Sequence, residues 1–129
     1  MNARSTARRV LAILVAALAL GACGPTPPQA PFHVAKKLDA STGDISTLCG
    51  LAYQVTAFPG DHGKDLAQLE ATARPSVRSL ASVYALNPAW MYQGETVADI
   101  VNDAITMLRA CGLSHAATTL ERATSQQRD

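Results

Sequence analysis

The stretch TVADIVNDAITMLRACG, residues 96–112, decides the fold class. Val97, Ile100, Val101, Ala104, Leu108 and Cys111 fall at offsets of 0, 3, 4, 7, 11 and 14, which places them on one face of an α-helix. Thr96 precedes the run, and Asp99 follows Thr96 by three residues, the capping-box spacing. Gly112 follows it as a natural stop, because glycine takes the left-handed turn that closes a helix at no steric cost.

Moving outward, the same periodicity recurs. Leu66, Leu69, Ala73, Val77, Leu80 and Tyr84 predict a helix over 64–86, in which Pro75 predicts a kink or a division into two. Ile45, Leu48, Cys49, Ala52 and Val55 predict a first helix over 44–58, with Ser41 and Asp44 at capping spacing and Pro59-Gly60 as its end. Asn87-Pro88 reads as a turn, and Ala89 to Gln93 as one further helical turn before Gly94. Past Gly112, Ser114 caps a short helix over 115–123 that offers Ala116, Ala117 and Leu120 for burial, and the SQQRD tail has nothing to pack. No segment alternates as a strand does, no hairpin dipeptide separates β-branched runs, and no repeat is evident. An all-α domain over 44–129, a small bundle of three to five helices, is the expectation.

The first 22 residues have a different composition. Arg4, Arg8 and Arg9 form a basic start, Val10 to Leu20 is an unbroken apolar run, and Gly21-Ala22 are small. That is the order of a secretory signal peptide. As a helix the run reaches only about 17 Å, well short of the roughly 30 Å hydrocarbon core of a bilayer. Cys23 follows, then GPTPPQAP, with four prolines among the nine residues from Cys23 to Pro31. Residues 23–43 therefore read as a tether, whose proline-rich part spans roughly 28 Å if extended.

Leu20-Gly21-Ala22-Cys23 resembles the lipobox of bacterial lipoproteins. The resemblance covers about the first 24 residues and implies cleavage before Cys23, with lipid carried on the Cys23 thiol. One acyl chain holds a protein only reversibly, whereas the two or three chains of this family imply lasting attachment. It further implies export to the outer face of the cell membrane, or to the outer membrane of a two-membrane host. Gly24 stands where an inner-membrane retention aspartate often does.

Assigning Cys23 to lipid leaves two of the three cysteines. Cys49 and Cys111 each sit on the apolar stripe of a predicted helix, and exported proteins mature where disulfides persist, so a Cys49–Cys111 disulfide is expected. Two separate buried thiols are the alternative. Cleavage leaves 107 residues with eight basic against ten acidic, a charge of about −2 that disfavours a nucleic-acid partner.

No catalytic or cofactor motif is present, and neither a metal nor a cofactor is expected. His33, His62 and His115 lie in the tether, a loop and the start of the last helix, without ligand spacing. Asp61, His62 and Asp65 admit an acid/base or metal-cluster reading, though a turn followed by helix capping accounts for them. Glu95, Asp99 and Asp103 form an acidic stripe, either a solvated face or a surface for a basic partner. Trp90, Met91 and Tyr92 are the candidate binding residues, with core filling as the alternative.

These features predict a lipid-anchored, non-enzymatic interaction module whose partner is an envelope protein or wall component. A carrier of a small apolar ligand and an envelope enzyme are the competing readings.

Overall fold

The computed structural model describes residues 27–128, so the basic start, the apolar run and Cys23 lie outside the described residues. In chain order the elements are α1 (Phe32–Thr56), α2 (Gly63–Leu86), β1 (Met91–Tyr92), β2 (Glu95–Thr96), α3 (Val97–Ala110) and α4 (Ser114–Arg128). The small all-α bundle is the observed architecture.

Helix α3 forms as its periodicity requires. The Thr96 hydroxyl accepts from the Asp99 N–H at 3.1 Å. At the other end Gly112 takes a φ of +93°, so the Leu113 N–H reaches the Leu108 carbonyl at 2.9 Å and the Gly112 N–H reaches that of Arg109 at 3.2 Å. This is a Schellman closure, and the buried Leu108 and Leu113 supply its accompanying apolar contact.

Helix α1 begins at Phe32 rather than near residue 44, so 32–43 belongs to the bundle and not to a tether. The core stripe extends N-terminally through Val34, Leu38 and Ser41, all buried. Ser41 is therefore an interior helical residue and not a cap, while Asp44 accepts from the Ser76 hydroxyl of α2 at 3.3 Å. Pro31 occupies the N-cap position, and its carbonyl accepts from Val34 and Ala35.

Helix α2 runs unbroken through Pro75. The proline costs it one backbone hydrogen bond, but Ala73, Ser76 and Val77 around it are buried, and packing against both α1 and α4 holds the helix together. Helix α4 continues past 123 to Arg128, and Thr124 in that extension is buried.

Residues 89–93 make no helical turn. Met91 and Tyr92 pair antiparallel with Thr96 and Glu95 across a turn in which Gln93 and Gly94 have φ of +50° and +82°. Two successive positive φ values mark a type I′ hairpin turn, and glycine accommodates the second without strain. Gln29 bridges Met91 in parallel: the Met91 N–H donates to the Pro28 carbonyl and the Ala30 N–H to the Met91 carbonyl, both at 2.9 Å. The segment before α1 is thereby fastened to the hairpin.

Leu38, Ile45, Leu80, Leu108, Leu113 and Leu120 anchor a core to which all four helices contribute. Cys49 of α1 and Cys111 at the end of α3 lie at disulfide distance within it, their Cα atoms 5.3 Å apart. No helix among the described residues is long and apolar enough to cross a membrane.

Candidate functional site

A groove of about 210 Å³ opens between α1, the hairpin and α3. Leu38, Ile45, Ile100 and Ala104 form its apolar floor, with the half-exposed Met107 at one side. Asp39, Glu95 and Asp103 contribute carboxylates to its wall. Of the acidic stripe expected on the third helix, Glu95 lies instead on β2 and joins Asp103 at the rim of an apolar slot, while Asp99 does not line it.

Of the three candidate binding residues, only Tyr92 lines this groove. Its hydroxyl donates to Asp39, and the Gln93 amide donates to the same hydroxyl at 3.2 Å. The bond to Asp39 holds the Tyr92 phenol above its ordinary pKa, with partial desolvation and the Asp39 charge acting in the same direction. Trp90 is half-buried and packs on the core, and its carbonyl accepts from Val97 at 2.8 Å. Met91 is the central partner of the small sheet, paired with Thr96 on one side and Gln29 on the other.

Glu95 is raised above the usual carboxylate range, first by its hydrogen bond with Asp103, then by desolvation and by the negative charges of Asp103 and Asp99. Two carboxyl groups that share a hydrogen bond hold a proton between them more tightly than either does alone. The groove therefore presents concentrated negative charge above an apolar floor. At about 210 Å³ it is smaller than the roughly 300–1,000 Å³ of sites that enclose a small-molecule ligand.

A second hollow lies between α2 and α4, lined by Ala67, Glu70, Arg74, Arg78, His115 and Thr119 among others. Here Glu70 reaches from α2 to accept from the Ala116 N–H at 2.8 Å, which caps the start of α4. Its other carboxylate oxygen is buried without a hydrogen-bond partner. Glu70 was not singled out from the sequence. Its position one turn beyond Leu66, beside the core stripe of α2, was the available signal.

The histidines do not converge. His33 lies in the first turn of α1, His62 sits at the N-cap of α2 with its Nε2 bonded to the Phe58 carbonyl, and His115 lies in the first turn of α4. Asp61 accepts from the Gly63 N–H at 3.0 Å, the closed turn of the simpler reading, and Asp65 stands in the first turn of α2. No group of three or more metal-ligating side chains occurs among the described residues. No family model matches the chain, and neither does any curated protein or solved structure.

Proposed function

We propose that this protein is a lipid-anchored lipoprotein of the bacterial cell envelope, whose helical domain is a non-enzymatic binding module. The observation that carries the reading is Leu20-Gly21-Ala22-Cys23, set behind a basic start and a short apolar run. The proximity of Cys49 and Cys111 supports it, since a disulfide between them accounts for every cysteine except the one in the lipobox.

The groove supplies the binding face. Carboxylates above an apolar floor favour an amphipathic, positively charged segment: its apolar side chains fill the slot and its lysines or arginines meet Asp39, Glu95 and Asp103. An envelope protein or a cationic wall component has that chemistry. The intact mass of the membrane-extracted chain tests the anchor, with cleavage before Cys23 plus acyl groups as the expected result. Crosslinked capture from native membranes tests the module. Asp39→Asn with Asp103→Asn is expected to lower recovery of a basic envelope partner at least tenfold, and unchanged recovery overturns the binding face.

A further inference from the structure

We propose that the bundle rests with its hairpin end on the lipid surface, Phe32 and Leu86 seated in the interfacial layer. The inference rests on Cys23 carrying the lipid, as proposed above, and concerns how the domain sits once it is attached.

The length of the tether is the first observation. The Met91 N–H holds the Pro28 carbonyl at 2.9 Å and the Ala30 N–H holds the Met91 carbonyl at the same distance, so the chain is fixed to the bundle from Pro28 onward. Only Gly24 to Pro27 separate Cys23 from that point. Covalent geometry limits the five steps from Cys23 to Pro28 to about 18 Å, however the intervening residues are arranged. The 25 residues of α1 alone extend about 37 Å. The end carrying Pro28 is thus held within about 18 Å of the anchor, less than half the length of α1, and is the end that faces the surface.

The second observation is what that end exposes. Phe32 opens α1 and is 79% exposed, and Leu86 closes α2 and is 62% exposed. Both stand at the end where the segment before α1 meets the hairpin, because α2 returns antiparallel to α1 and leads within a few residues to Met91. The Lys36 ammonium lies 5.5 Å from the centre of the Phe32 ring. That pair is an apolar ring with a charge able to remain among headgroups while the ring goes deeper. The half-buried Trp90 lies at the same end, a side chain suited to the membrane interface.

Charge does not drive the contact. The carboxylates of Asp39, Glu95, Asp99 and Asp103 gather around the groove beside the hairpin and outnumber Lys36 and Lys37, so seating is apolar and insensitive to salt. Phe58, at the opposite end of α1 and 71% exposed, is held away from the lipid.

Trp90 is the single tryptophan of the chain and serves as the probe. The chain is extracted from membranes, its lipid on Cys23 verified by intact mass, and reconstituted into phosphatidylcholine vesicles whose acyl chains are brominated close to the headgroup. Emission from Trp90 is expected to fall at least twofold relative to unbrominated vesicles, equally in low and high salt. Phe32→Ser with Leu86→Ser is expected to restore most of that emission while the chain stays on the vesicles, and Phe58→Ser to change nothing. Because both serines replace exposed side chains, an unchanged far-ultraviolet circular dichroism spectrum verifies that the fold is retained. Undiminished emission from a lipid-bearing chain overturns the seating and leaves the anchor intact. Quenching relieved by Phe58→Ser, but not by the Phe32 and Leu86 pair, also overturns it by placing the side of the bundle on the membrane. An extracted chain without lipid overturns the anchor and the seating together.

Discussion

The Tyr92 hydroxyl donates to the Asp39 carboxylate and so ties the hairpin to α1 across 53 positions of sequence. Tyr92→Phe removes the tie while keeping the ring. The Ala30 and Met91 amides are then expected to exchange with solvent severalfold faster, with α3 amides unchanged, in a hydrogen-exchange experiment. The bond also has a pH signature. Because the phenol pKa is raised in the folded chain, the native state keeps a proton that the unfolded state releases near pH 10. Stability therefore falls as pH rises through that value, and Tyr92→Phe is expected to remove this component of alkaline sensitivity.

Leu38 distinguishes a helix that begins at Phe32 from one that begins near residue 44. It is fully buried in the core, and truncation of such a leucine costs about 2–5 kcal/mol. Leu38→Ala is expected to lower the melting temperature by roughly ten degrees or more. A residue in a free tether would show no change in the same thermal melt.

Cys49 and Cys111 close a loop of 62 residues. In a chain-entropy account, joining them stabilises the fold by about 4 kcal/mol. Thermal unfolding with and without a strong reductant is expected to show a correspondingly large drop in midpoint. Cys49→Ser with Cys111→Ser is expected to reproduce that midpoint and to lose all sensitivity to reductant.

Glu95 carries a cost at neutral pH. Its raised pKa means that the native chain binds a proton more tightly than the unfolded chain does. Stability is therefore lost as pH rises from the ordinary carboxylate value to the raised one, and the loss persists above it. Glu95→Gln is expected to be slightly more stable than the parent at pH 7 and indistinguishable from it at pH 3, as measured by denaturant midpoints. The same substitution is expected to weaken capture of a cationic segment, which separates stability from binding.

The helices were legible where apolar residues dominate their stripe. Helix α3 has both a capped start and a glycine stop, and its bounds follow from them. The first half of α1 was not legible because Lys36-Lys37 and Ser41-Thr42-Gly43 dilute the pattern, and a buried serine occupies a stripe position. Pro75 misled because the rule concerns an isolated helix, whereas α2 is flanked by two others. The hairpin escaped notice because Gln93-Gly94 is not among the usual turn dipeptides and each strand has only two residues. For the groove, the acidic residues and Tyr92 were visible in sequence. Their meeting with Asp39 and Leu38 depends on α1 starting early, so the slot itself was not.

The link between Cys49 and Cys111 also sets how the molecule bears tension. When α4 is pulled away from the start of α1, the covalent path of the load runs along α1 to Cys49 and crosses directly to Cys111. All of α2, the hairpin and all of α3 lie between the two cysteines, off that covalent path. The 62 steps that the bridge bypasses amount to roughly 200 Å of slack that cannot be drawn out. Oxidised, the two ends of the chain are joined by a short covalent path; reduced, by a long one.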